Sequence, residues 1–231
     1  MPNWCNTSMY FYGEESVITD LHKKLTKWLN AKESIYKSDF GIPWLGNILA
    51  YTLGKDFVKE HEYDANLNFR GWIQDLDSII EYDAEKKVWL FTIGMESAWH
   101  PHLKMWYLVL EKLYGKNADI HIAYISDEPG MGSYHMYDPD RIIYDTEKIY
   151  HVDAWDANYK FGLEECICEY EEEELIATIK DFFNIACTDD MLDDLDNLNE
   201  MIQKAIKDSG ESDDDCGFYI NKYKIAKKED Y

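Results

Sequence analysis

The sequence predicts an α+β fold on three observations. Short runs of aromatic and branched residues alternate like strands. Longer runs repeat apolar residues every three or four positions like helices. The two kinds alternate along the first part of the 231-residue chain. With 46% hydrophobic and 15% aromatic residues, there is enough apolar material for a substantial core.

Ser8–Gly13 (SMYFYG) reads as a short aromatic strand closed by glycine. Val17, Ile18, Leu21, Leu25, Trp28 and Leu29 then recur at helical spacing, and Glu14 and Glu15 suit a helix start. A short helix is expected over Trp44–Leu53, stopped by Gly54. Ser78–Tyr82 and Val88–Ile93 flank the polar run Asp83–Lys87 as a hairpin would. Leu103, Trp106, Tyr107, Leu110, Leu113 and Tyr114 make the clearest helix, with Pro101 allowed near its start and Gly115 ending it. Ile120–Ile125 alternates as a strand. The order strand, helix, hairpin, helix, strand matches a ferredoxin-like βαββαβ sandwich, assigned to residues 1–137. Residues 138–231 are expected to form an acidic α+β extension packed on that core. Its expected elements are strands within Arg141–Val152 and Asn158–Tyr170, helices through Leu175–Phe183 and Met191–Ala205, a charged loop at Gly210–Gly217 and a last strand at Phe218–Ile225.

Charge narrows the function. Lys and Arg number 23 against 46 Asp and Glu, a formal net charge of -23. Residues 161–231 alone carry 21 acidic and 7 basic side chains. Such a chain repels phosphate backbones, and no basic cluster longer than Lys23-Lys24 or Lys227-Lys228 offsets this, so direct nucleic-acid binding is not expected. The same field favours a basic protein surface. No apolar run approaches a membrane span, and the N-terminus lacks the pattern of a signal peptide, so no membrane is expected and the expected compartment is a cytosol. Five cysteines without a CxxC pair fit a reducing compartment.

Three segments stand out together: MPNWCNT (Met1–Thr7), ESAWHP (Glu96–Pro101) and EPGMG (Glu128–Gly132). The set resembles the YubB-like group of small ferredoxin-like proteins of phages, plasmids and other bacterial mobile elements, and WLGN (Trp44–Asn47) and RGWI (Arg70–Ile73) are similar to that group too. The resemblance covers residues 1–137. It implies a fold, a genomic setting and a bacterial host cytoplasm; it implies no agreed reaction and no catalytic residues.

In the expected fold the three segments meet at one end of the sheet, gathering Asn3, Trp4, Cys5, Glu96, Trp99, His100, Glu128 and Met131. Two readings stand side by side. Aromatic side chains close the end of the core as a plug, with Gly130 and Gly132 supplying positive φ. Alternatively, Asn3, Trp4, Glu96, Trp99, His100, Glu128 and Met131 line a pocket for a small molecule or nucleotide.

Catalytic machinery is not expected. His100, His102, His121, His135 and His151 follow no metal-ligand spacing, and no cofactor loop is present. Cys166 and Cys168 read as core residues and Tyr10, Tyr12 and Trp89 as packed aromatics, and a Pro2 amine would serve as a base or nucleophile only after removal of Met1. SDDDCG lacks the ligand alternation of a calcium loop. The acids Glu164, Glu165, Glu171, Glu172, Glu173, Glu174, Asp189, Asp190, Asp193, Asp194, Glu211, Asp213, Asp214 and Asp215 are either helix-start carboxylates on a solvated face or a docking surface. As a docking surface they would imitate a phosphate array and occupy the basic groove of a host nuclease complex, an anti-defence role of the anti-CRISPR kind.

Overall fold

A computed structural model describes residues 3–62, 64, 67, 69–144, 148–158, 160–161, 166–212 and 214–227. The chain is α+β, with two sheets and seven α-helices among the described residues. It divides into two compact units, one made of Met1–Tyr144 with Ile225–Tyr231 and the other of Asp145–Lys224.

In the first unit β1 (Trp4–Gly13) is the central strand. It pairs antiparallel with β4 (Val88–Ala98) on one side and β5 (Ile120–Glu128) on the other. Beyond β4 lies β2 (Gly71–Leu76), and beyond β5 lie β6 (Ser133–Tyr137) and β10 (Lys224–Ile225). A three-residue strand, β3 (Glu81–Asp83), also pairs with β4. Alternation decides which face is buried. Met9 and Phe11 of β1, Phe91, Ile93 and Met95 of β4, and Ile122 and Tyr124 of β5 share one face and one core. That face is covered by Ile18, Leu21 and Leu25 of α1 (Glu15–Leu29) and by Leu103, Met105, Trp106, Val109 and Leu110 of α4 (Leu103–Tyr114). Two shorter helices, α2 (Leu45–Leu53) and α3 (Lys55–His61), add Leu45, Ile48, Leu49 and Val58.

The second unit has its own sheet, in the order β8-β7-β9, from β7 (Ile149–Asp156), β8 (Cys166–Glu171) and β9 (Cys216–Lys222), all antiparallel. Three helices complete it: α5 (Glu172–Phe183), α6 (Asp189–Leu192) and α7 (Leu195–Asp208). Leu175, Ile179, Leu198, Ile202 and Ile206 from the helices meet Tyr150, Val152, Phe218 and Ile220 from the sheet in a core separate from the first. No helix among the described residues is long and apolar enough to cross a membrane.

Several expectations need correction. The hairpin at Asp83–Lys87 exists, closed by Asp83 Oδ1 accepting from the backbone N–H groups of Glu85 and Lys86, both at 2.9 Å. Yet β3 is short, and the longer neighbour of β4 on that side is β2, which was not expected as a strand. The helix expected through Met191–Ala205 breaks at Asp193-Asp194, where Asp194 caps α7. The strand expected over Phe218–Ile225 is split at Tyr223 and serves both sheets. The first compact unit runs to Tyr144 and includes the chain again from Ile225. The reason is local: Asp140 accepts a hydrogen bond from Tyr12 at 2.9 Å, Tyr144 packs edge-on against Tyr10, and Asp138 accepts from the N–H groups of Ile142, Ile143 and Tyr144.

Candidate functional site

Pairing register brings the three motif segments to one end of the large sheet. Trp4 pairs with Ala98, and Asn6 pairs with Glu96 on one side and Asp127 on the other. Trp99 donates its N–H to the Asn3 carbonyl at 3.0 Å, and Gly130 lies beside the Asn3 side chain.

Strand alternation then divides these residues between the two faces. Trp4 and Glu96 share the face opposite the core. Trp4 meets Trp72 and Phe40 edge-on at 4.9 and 6.4 Å, and Arg70 stands 5.9 Å from its ring. Glu96 accepts from Gln74 Nε2 at 3.0 Å. Glu128 sits on the core face, in the line of Ser126 and Tyr124, beside Cys5 and Thr7. It is 6% exposed, and its Oε1 has no hydrogen-bond partner among the described residues. The sheet therefore stands between Trp4 with Glu96 and Glu128. Trp99 and Met131 are 51% and 68% exposed, so neither plugs the core.

The turn between β4 and α4 is conformationally costly. Trp99 and His102 both have positive φ, +69° and +55°, which bulky residues seldom adopt. Ser97 Oγ donates to the His100 carbonyl at 2.8 Å and ties the turn together. His102 is buried, with Nε2 at 3.2 Å from the Arg70 carbonyl, and its ring meets that of His100 edge-on at 4.7 Å. Burial, with the neighbouring His100, pushes the His102 imidazole down to about 3, and burial lowers His100 as well. Both rings favour the neutral form. Burial pushes the Cys5 thiol up to about 12, which makes it a core residue rather than a thiolate nucleophile. Among the described residues no group of three or more His, Cys, Asp and Glu is arranged to hold a metal.

The acids of the second unit fall into two groups. Glu172 pairs with Lys148 at 2.7 Å, and Lys222 stands 4.0 Å from Asp193. Lys148 is raised chiefly by Glu172, with Asp189 and Asp193 adding to it, which places all three carboxylates at the end of the small sheet where β7 begins. Glu171, Glu173, Glu174, Asp190 and Asp194 are exposed on the same first turns and caps. Glu211 accepts from Asn158 Nδ2 at 2.7 Å, and Asp215 accepts the N–H of Ala157 at its carbonyl and the Ser212 hydroxyl at its carboxylate. With exposed Asp214, these lie where β7 ends. The eight residues of β7 put the groups roughly 23 Å apart at strand rise. Glu164, Glu165 and Asp213 lie outside the described residues, as does Pro2.

Compared with family models, curated proteins and solved structures, the chain matches none. Its functional reading rests on its own residues.

The sequence reading missed a cleft between α1 and β2. It holds about 560 Å³ and is lined by His22 and Thr26 from the helix, by Asn30 at its C-cap and by Gln74, Asp75 and Leu76 from the strand, among others. The i, i+4, i+8 spacing of His22, Thr26 and Asn30 was the available signal, but it gains meaning only once β2 is known to lie alongside.

Proposed function

We propose that this chain acts by binding a cationic protein surface through the carboxylates where β7 begins, with no chemistry of its own. One observation carries the reading. Residues 145–224 hold 23 Asp and Glu against 7 Lys and no Arg, so a one-to-one pairing with every lysine still leaves 16 carboxylates over. Glu173, Glu174, Asp189 and Asp190 are exposed on first helical turns, where the backbone N–H groups already favour negative charge. A partner supplying arginines would gain charge-assisted bonds there.

In its most concrete form the reading makes the protein a YubB-like product of a phage or other mobile element, acting in the cytoplasm of a bacterial host. Its carboxylates stand in for phosphates and occupy the basic groove of a defence nuclease such as a CRISPR effector. The motifs MPNWC, SAWHP and EPGMG support the genomic setting, and the charge supports the mode of action. A ferredoxin-like βαββαβ core belongs to the same proposal. It is supported by the strand order β5-β1-β4-β2, with α1 following β1 and α4 joining β4 to β5.

The test is binding to purified nuclease complexes at about 0.05 M and about 0.5 M salt, with the wild type and with Glu173→Gln, Glu174→Gln, Asp189→Asn and Asp190→Asn combined. Salt-sensitive binding that the combined variant loses by tenfold or more is expected. Equal binding by both proteins, or none at either salt, rejects the proposal.

A further inference from the structure

We infer that the cleft between α1 and β2 receives a short extended basic segment of a partner protein, which adds as a strand to the outer edge of β2. This site belongs to the first unit and does not rest on the carboxylates of the second.

β2 ends the strand order of the large sheet. An edge strand presents backbone groups that another strand can take up. Part of the edge is already taken by the chain itself. Trp44 forms an isolated antiparallel bridge with Trp72, and Ile73 donates its N–H to the Pro43 carbonyl at 3.0 Å. Continued backwards, that contact would lay Ile42 and Gly41 along Gln74 and Asp75. Instead the chain is held off this line. Asn47, 1% exposed, donates through Nδ2 to the carbonyls of Gly41 and Ile42 at 2.8 and 3.1 Å, and Gly41 turns with φ +72°. The stretch of edge from which the chain turns aside is the one that lines the cleft.

The walls specify the occupant. A register shift between Ile73 and Asp75 marks a bulge, so only a short segment fits, about four or five residues. Ile73 and Leu76 face the core, and Leu29 of α1 and Pro43 add apolar wall. Asp75 and Asp77 are exposed on the face away from the core, Asp75 lying over Gly94 and Asp77 Oδ2 accepting the Thr92 N–H at 2.6 Å, and among the described residues no lysine or arginine lines the cleft. His22 closes one end, its Nε2–H donating to the Asp77 carbonyl at 2.7 Å. Side chains of an added strand alternate between faces. Inward positions therefore want a small apolar residue against Leu29 and Leu76, and outward positions want lysine or arginine beside Asp75 and Asp77. The existing bridge sets the direction: antiparallel to β2, with the C-terminal end of the segment toward Pro43.

The probe is a seven-residue peptide alternating lysine and valine, acetylated and amidated, followed by fluorescence polarisation with the full chain at low salt. Saturable binding is expected, with affinity falling up to about fivefold in Asp75→Asn, the factor for losing one exposed charge partner worth at most about 1 kcal/mol. Methylating alternate peptide nitrogens should cost tenfold or more, and the bound parent peptide should slow amide exchange at residues 74–76. The chain with Glu173, Glu174, Asp189 and Asp190 neutralised should bind as the wild type does. The inference is overturned if the peptide does not bind, if the methylated peptide binds equally well, or if affinity follows the second-unit acids and ignores Asp75→Asn.

Discussion

His102 combines a left-handed backbone, full burial and a ring kept neutral. Its pKa falls from 6.5 in the open chain to about 3 in the fold. Between those limits the unfolded chain binds a proton that the folded one refuses, so stability drops as pH falls through that window, by up to about 1.4 kcal/mol per pH unit. Well above pH 6.5 the group contributes no slope. Asparagine tolerates the left-handed region and does not titrate. We therefore expect His102→Asn to remove about one proton's worth of slope, whatever it does to absolute stability. Urea unfolding at several pH values between about 4.5 and 6.5 checks this. A slope equal to the wild type's would mean that the imidazole is not the group responsible.

At the scale of elements, the join between β1 and α1 is tight against backbone. Gly13 has φ +148°, and a Cβ there would run into the Asp119 carbonyl, which already accepts the Glu14 N–H at 3.1 Å. Gly13→Ala should cost about 2–4 kcal/mol by chemical denaturation, because backbone on both sides must move. A cost below 1 kcal/mol would show that the join yields. This strand and both long helices of the first unit were legible from sequence, because their apolar residues keep one period from end to end: Ile18, Leu21 and Leu25 in α1, and Leu103, Trp106 and Leu110 in α4. β2 was not legible because the bulge between Ile73 and Asp75 breaks its alternation. α3 was hidden by Gly54, read as a stop although it begins the next helix. The meeting of the three motifs followed from strand order, but the separation of Trp4 from Glu128 depends on register, and a shift of one residue would reverse it. The acids seemed contiguous along the chain, whereas β7 holds them in two groups.

At the scale of the whole molecule there are two cores and two electrostatic characters. The second unit has its own sheet and helices and a large surplus of negative charge. Like charge confined to 80 residues repels itself, and added salt weakens that repulsion. A fragment of residues 145–224 should therefore unfold cooperatively by circular dichroism, with a Tm that rises as sodium chloride is added. A fragment with no cooperative transition would show that its core depends on the first unit. A Tm indifferent to salt would show that its carboxylates are too widely spaced to repel.

The chain leaves the first unit after Tyr144 and re-enters it at Ile225, where β10 lies on β6 and the Ala226 N–H reaches the Met136 carbonyl at 2.7 Å. The second unit is thus strung between two covalent anchors rather than hung from one. A protease that cuts once within it frees neither piece: the nicked protein should migrate at its original size under native conditions and part into two bands only in denaturant. Shedding the acidic unit intact takes two cuts, one at each anchor.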